Sequence, residues 1–353
     1  MKIGILTFHW ATNYGAVLQC YALQTYLESI GHEVKVVNYK PKQNDFSLWR
    51  FFRYRQFLHP KTFVLPLIKE KSIKLFRSKY LKLTERAYCC EEISSIVKSF
   101  DAVISGSDQI LNVTSLLHGD ALNRVTPSYY LGFDYDGRRI GYAVSFGVVE
   151  YPQKCIEIAK PYMAKFDKIS TRETSGVKIV EAMGRTDVIV VPDPTLLLPS
   201  IEYEKLAKSS QVNTFSKFYC FFIRHISERK FSIKSLNLSG SLLWNNEDGD
   251  YSLEGWLAKI KHASFVITDS FHCMVMSLKL HTPFAVVTEL EGNTGMNDRL
   301  YTLLGLLDME YRIVYKGNLS KIITIANTNI NWDSVDQKLE DFKSIGTKFL
   351  KSI

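Results

Sequence analysis

The 353-residue sequence predicts an α/β protein of two Rossmann-like domains, their parallel sheets facing a ligand cleft. Three observations lead there. In both halves short apolar runs alternate with stretches at the helical period, the pattern of β-α-β units with right-handed crossovers. Several apolar runs end in small or polar residues, as expected where parallel strands line a crevice with their carboxyl ends. The length suits two domains that each bury a core.

Taken in order, Lys2 to Phe8 reads as a strand, His9 to Gly15 as a polar turn and Ala16 to Ser29 as a helix. The helix has an apolar stripe through Val17, Leu18, Tyr21, Ala22, Tyr26 and Leu27, and Gly31 stands where a C-terminal cap belongs. Glu33 to Tyr39 is the second strand. The first turn lacks the GxGxxG fingerprint of dinucleotide sites. It carries Asn13, Tyr14 and Gly15 instead: Asn13 supplies a donor and an acceptor, and Gly15 lets the backbone approach a ligand.

Phe100 to Ile104 is a strand whose end carries Ser107, Asp108 and Gln109, a ligand loop or a turn with an aspartate cap. Arg138 to Phe146 is another, with Ser145 at its end. Ile158 to Phe166 reads as a helix. Lys168 to Thr171 leads to Arg172, which suits bidentate capture of a phosphate or carboxylate, or else a surface ion pair. Val188 to Val191 closes this half before Pro192 and Pro194. The first domain is placed at 1–200, with the boundary in the polar stretch Leu197 to Ser216.

The second domain, 215–332, begins with a strand at Phe218 to Arg224. It continues with a helix at Trp256 to His262, a strand at Ala263 to Ile267, a helix at Phe271 to Leu280 and a strand at Pro283 to Thr288. Asn297 to Leu307 reads as a helix with Arg299 in its first turn. Residues 333–353 read as a terminal helix packing back on the first domain. Thr268, Asp269 and Ser270 form a polar turn, and Asp269 or Ser270 suits an N-cap. His272 then lies beside the positive end of a helix dipole, an anion site with a proton-transfer group attached. The plainer alternative is that Asp269 only caps and His272 only packs.

The formal charge is +8 and is concentrated. Between Pro41 and Arg86 twelve Lys or Arg face three acidic residues, so the rest of the chain is about neutral. Aromatic and aliphatic residues interleave these charges. The stretch, about 41–99, reads as a helical insertion with a solvated basic face, as a surface for anionic membranes, or as a nucleic-acid binder. No recognised nucleic-acid motif accompanies it. No apolar run reaches a membrane span, and the first residues lack a signal-peptide pattern, so a cytoplasmic protein is expected. The six scattered cysteines have no CxxC spacing, so reduced thiols and no metal site are expected.

These pieces together resemble the polysaccharide pyruvyl transferase family. The matching segments are Asn13-Tyr14-Gly15-Ala16 with Leu18-Gln19, Gly106-Ser107-Asp108-Gln109 with Asn112, and Tyr142 to Gly147. Arg172-Glu173 with Ser175-Gly176, Asp193-Pro194-Thr195 and Thr268-Asp269-Ser270-Phe271-His272 follow in the family's order. The resemblance implies a fold similar to GT-B glycosyltransferases and transfer of the pyruvyl group of phosphoenolpyruvate to a sugar as a cyclic ketal. It implies that Arg172 binds the donor and that His272 is the catalytic histidine. By its own chemistry, Asp108 or Asp269 suits holding a sugar hydroxyl or orienting His272. Asn13, Tyr14, Gly15, Ser107, Asp108, Gln109, Ser145, Ser270 and Arg299 are the candidate substrate contacts. Two positions depart from the family's pattern: Ser270 stands where characterised members often carry Arg, and Cys273 where they usually carry Gly. No cofactor beyond the phosphoenolpyruvate donor is implied. The acceptor is expected to be a surface polysaccharide or its lipid-linked precursor, which places Trp49 to Lys82 at the anionic inner face of a membrane. A nucleotide-sugar glycosyltransferase of GT-B type and a non-catalytic scaffold in glycan biosynthesis are the alternatives.

Overall fold

Strands buried on both faces need helices on both sides, and the apolar runs here are met by such helices in two separate sheets. The structure, a computed structural model, describes residues 1–41, 60–117, 127–210 and 217–353. These divide into two units, Met1–Pro194 with Phe349–Ile353, and Thr195–Lys348.

The first unit holds β1 (Lys2–Leu6), β2 (Glu33–Tyr39), β3 (Leu83–Ala87), β4 (Ala102–Ser105), β5 (Arg138–Val144), β6 (Lys168–Thr171) and β7 (Ile189–Val190). Their order is β3-β2-β1-β4-β5-β6-β7, and every pair is parallel. The order reverses at β1 and β4, with Ile3 opposite Ala102 and Leu6 opposite Ser105. The crevice of such a sheet opens at the carboxyl ends of the strands flanking that reversal.

Its helices are α1 (Tyr14–Ser29), α2 (Pro60–Tyr80), α3 (Cys90–Val97), α4 (Val113–Leu117), α5 (Gln153–Met163) and α6 (Thr174–Ala182). Helix α1 ends at Ile30, and Gly31 takes the left-handed backbone (φ +92°) that stops it. Helix α5 begins directly after Pro152, five residues before the expected start.

The stretch 41–99 is not wholly a helical insertion: Leu83–Ala87 is the edge strand of the sheet, paired with β2. Its residues are exposed or half-buried up to Ala87, and with Glu85 and Arg86 inside it the segment reads as part of the charged run. Residues 49–59 of the expected membrane-binding segment lie outside the described residues, as do 211–216 of the expected linker.

The second unit begins at Thr195, a few residues before the expected boundary, and takes in α7 (Ser200–Lys208). Tyr203 is buried there, donating to the Thr195 carbonyl at 2.7 Å, and Lys261 pairs with Glu204. The sheet comprises β8 (Phe218–Phe221), β9 (Leu242–Trp244), β10 (Phe265–Thr268), β11 (Phe284–Thr288) and β12 (Ile313–Tyr315), in the order β12-β11-β10-β8-β9. All pairs are parallel, and the reversal falls between β8 and β10. The helices are α8 (Ile226–Lys234), α9 (Leu253–His262), α10 (Phe271–Lys279), α11 (Asp298–Leu306), α12 (Lys321–Ala326) and α13 (Trp332–Lys351). The last residues, Phe349–Ile353, group with the first unit, where Lys168 donates to the Ser352 carbonyl at 2.8 Å.

Candidate functional site

At the switch point of the first sheet, polar side chains tie the loops after β1 and β4 together. The Thr7 hydroxyl donates to the Ser107 carbonyl at 3.0 Å, and Gln19 of α1 donates to the Thr7 hydroxyl at 2.9 Å. The Asn13 side chain caps α1, accepting from the N–H groups of Gly15 (2.9 Å) and Ala16 (3.4 Å). Tyr14 is buried, and the Lys69 ammonium lies 4.5 Å over its ring. Helix α2 holds the rest of this turn. Arg77 donates to the Trp10 carbonyl at 2.8 Å and pairs with Glu70, which accepts from Thr12. Lys69, Glu70 and Arg77 gave no sequence signal beyond membership of the basic run, because their partners are about 60 residues away.

Asp108 adopts a left-handed backbone (φ +80°), an uncommon state for a residue with a side chain. Its carbonyl accepts from the Ser145 N–H at 3.1 Å, and the Ser145 hydroxyl accepts from Gly147 at 3.2 Å. Ser107 donates to Asp193 at 2.8 Å. Arg172 is the hub: its guanidinium donates to Asp193 at 2.9 Å and to Glu173 at 3.4 Å, and stands 4.0 Å from Asp108. Burial works to lower the Arg172 pKa, but the charges of Glu173, Asp193 and Asp108 outweigh it and hold it raised. The sequence left an ion pair open for Arg172, but as a surface pair. It is buried instead, only 3% exposed, because the loops after β4, β6 and β7 all converge on it. Taken at formal charges, Arg172 with Asp108, Glu173 and Asp193 sums to −2. Gln109 fills the space beside Gly147, where a Cβ would come within 2.9 Å of its Cδ.

In the second unit, Ser270 rather than Asp269 is the N-cap of α10, accepting from the Cys273 N–H at 3.3 Å. Asp269 bridges the switch point: one oxygen accepts from the Ile223 N–H at 2.7 Å and the other from Arg224 at 2.9 Å. Burial raises the Asp269 pKa against the pull of those two N–H groups. His272 is buried in the first turn of α10, its ring edge-on to Phe271 at 5.3 Å between centroids. The Arg299 guanidinium lies 5.7 Å over the same Phe271 ring. The Cys273 side chain is fully buried, and burial pushes its thiol pKa up.

A cavity of about 250 Å³ opens at these strand ends, lined by Arg224, Asp269, Glu289, Met296 and Arg299 among others. Arg224 contacts the Met296 sulfur, and Asn297 donates to the carbonyls of Leu290 (2.9 Å) and Gly292 (2.8 Å), folding the loop around the cavity. Glu289 pairs with the buried Arg229 and, at 3.0 Å, with Lys316. Burial works to raise its pKa, but Lys316 and Arg229 prevail and hold it lowered. Arg224 and Glu289 escaped the sequence reading; their position at strand ends was their only signal. Among the described residues no group of three or more His, Cys, Asp or Glu is placed to hold a metal ion.

Five candidates of the first unit, Asn13, Ser107, Asp108, Gln109 and Ser145, thus sit in strand-end loops, and Gly15 lies in the first turn of α1 under the Asn13 cap. Asp269 and Arg299 meet at the second unit's cavity.

The structure is similar to two UDP-N-acetylglucosamine 2-epimerases. One is a putative enzyme from Listeria monocytogenes (TM-score 0.52, 10% identity, covering 96% of this chain and 90% of that one). The other is from Rickettsia bellii (TM-score 0.51, 10% identity, covering 99% and 95%). The E. coli heptosyltransferase WaaC with ADP also aligns (TM-score 0.39, 15% identity, covering 97% and 99%). The likeness to the epimerases shows the fold, two parallel sheets in an α/β arrangement. No curated protein sequence matches the chain. A model of the polysaccharide pyruvyl transferases matches residues 13–289, which take in every candidate residue but Arg299, and the chain belongs to that family of transferases.

Proposed function

We propose that the protein transfers the pyruvyl group of phosphoenolpyruvate to two hydroxyls of a saccharide, releasing phosphate. The observation that carries this is the second unit's cavity. Two arginines, Arg224 and Arg299, line it beside Asp269, and the same Phe271 ring contacts both Arg299 and His272. A dianionic or trianionic donor needs cationic and N–H partners of this kind. In the reaction one hydroxyl proton goes to the donor's methylene carbon, which becomes the methyl group. The two hydroxyl oxygens bond to the adjacent carbon as a ketal, and the second proton leaves with phosphate. His272 is the general acid/base for these transfers near neutral pH.

In this reading Arg172 does not bind the donor directly. Its charge is already outweighed by those of Asp193, Glu173 and Asp108, and it acts as a positioning residue for the loops bearing Ser107 and Asp108. The acceptor is a saccharide on a lipid carrier, and the enzyme works at the inner face of the membrane.

The test is phosphate release from phosphoenolpyruvate across a panel of lipid-linked saccharides, with His272→Ala alongside. Loss of about 10²-fold or more in a folded variant is expected if His272 transfers the proton. Near-full turnover would remove it from the mechanism. Thermal stabilisation by UDP- or GDP-sugars with none by phosphoenolpyruvate would favour a glycosyltransferase instead.

A further inference from the structure

Helix α2 has two faces that differ in kind. The inner one buries Ile73, Phe76 and Arg77, with the Tyr80 ring tilted against Phe76 and edge-on to Tyr21. Its one acidic residue, Glu70, turns inward to Arg77 and Thr12. On the opposite face Leu67, Ile68 and Leu75 are 42%, 41% and 62% exposed. Lys71, Lys74 and Lys79, also exposed, share that face, and no carboxylate of α2 does. Leu67, Ile68, Lys71, Lys74, Leu75 and Ser78 recur at the helical spacing of one stripe. A soluble helix normally presents glutamate and lysine outward; this one presents aliphatic groups ringed by lysine alone.

We propose that this face of α2 is a docking surface for an anionic lipid bilayer. Its chemistry fits on both counts: aliphatic side chains enter the headgroup boundary and lysines meet lipid phosphates. Single exposed aliphatics would carry no such meaning, but three on one face interleaved with the exposed Lys71 and Lys74 do. Among the described residues no helix is long and apolar enough to cross a membrane, so α2 would lie on the surface. The proposal rests on the lipid-linked acceptor for its purpose, though its physics is independent of the reaction. The inner face links the surface to the candidate site, since Arg77, Glu70 and Lys69 hold the turn at residues 9–15.

The experiment is flotation of the full chain with vesicles of phosphatidylglycerol and phosphatidylcholine, against phosphatidylcholine alone, with neither donor nor acceptor present. Binding to the anionic vesicles at low salt, weakening as salt rises, is expected. A Leu67→Ser, Ile68→Ser, Leu75→Ser variant should lose it. A Lys71→Gln, Lys74→Gln, Lys79→Gln variant should bind about 100-fold more weakly, about fivefold for each lysine. Both variants should keep the wild-type melting temperature and its stabilisation by phosphoenolpyruvate. Failure of wild type to float, or flotation of both variants equal to that of wild type, overturns the proposal. A lower melting temperature in the serine variant also overturns it, because the face would then pack on its own chain. Absence of any phosphoenolpyruvate effect in wild type instead counts against the proposed reaction and leaves the vesicle result standing.

Discussion

Arg172 and Asp193 come from different strand ends of one sheet and meet in an ion pair of 2.9 Å, both side chains almost wholly out of solvent. Such a pair is costly to break from one side, because the survivor stays buried without its counter-charge. Arg172→Ala should lower unfolding free energy by about 3–5 kcal/mol, since Asp193, Glu173 and Asp108 are then left to repel one another. Urea unfolding measures this. If the variant keeps wild-type stability and loses phosphoenolpyruvate binding alone, Arg172 is a donor ligand and not a positioning residue.

His9 gives the fold a pH dependence at mildly acidic values. It is fully buried, with Nδ1 3.2 Å from the Thr7 carbonyl oxygen and Nε2 3.3 Å from the Asn38 side-chain amide. Burial lowers its pKa from 6.5 to about 4. The bonds to Thr7 and Asn38 oppose that, while the Arg77 and Arg86 charges add to it. A depressed folded pKa means that the unfolded chain binds the proton first as pH falls. The stabilisation is therefore complete above 6.5 and lost progressively down to about 4, in total about 3 kcal/mol. His9→Leu should flatten the stability profile over that window relative to wild type. Parallel profiles would show that His9 is not the group responsible.

Much of this architecture could be read from local sequence, and the parts that could not share a cause. The Ser270 cap, the stop at Gly31 and β6 at Lys168–Thr171 are each set by neighbouring residues, so periodicity and capping chemistry expose them. The edge strand β3 hid because the exposed Glu85 and the half-buried Arg86 sit within it, inside a run already dominated by charge. Asp269 was legible as a turn residue, but its partners, the amides of Ile223 and Arg224, lie 46 and 45 residues upstream. The Arg172 cluster likewise draws Asp108 and Asp193 from two other loops. Residue type and spacing located the candidate positions; whether each charge was free for a ligand or committed to a neighbour depended on the three-dimensional meeting of distant loops.

Gly147 should tolerate no side chain without disturbing Gln109. Its backbone is left-handed (φ +73°), and an added Cβ would stand 2.9 Å from the Gln109 Cδ. Gly147→Ala should cost about 1–2 kcal/mol from backbone strain alone, read by thermal or urea unfolding, and should displace Gln109. If Gln109 contacts the acceptor, the same variant raises the acceptor KM with little effect on phosphoenolpyruvate binding. A variant as stable as wild type would mean that the loop relaxes to another backbone conformation.

Arg299 separates the proposed donor site from a merely structural cavity. Its guanidinium is half-buried over Phe271 and lines the same cavity as Arg224. If the pair binds the donor's anionic groups, each charge-assisted hydrogen bond contributes about 1.5–3 kcal/mol. Arg299→Ala and Arg224→Ala should then each weaken phosphoenolpyruvate binding by about 10- to 100-fold. Exposed Arg224 should leave stability unchanged within about 0.5 kcal/mol. Arg299→Lys should recover only part of the loss, because an ammonium reproduces the charge but neither the fork nor the stacking on Phe271. Titration calorimetry with phosphoenolpyruvate reads all three. Unaltered affinity in both alanine variants would move the donor away from this cavity and take the case for His272 as its proton donor with it.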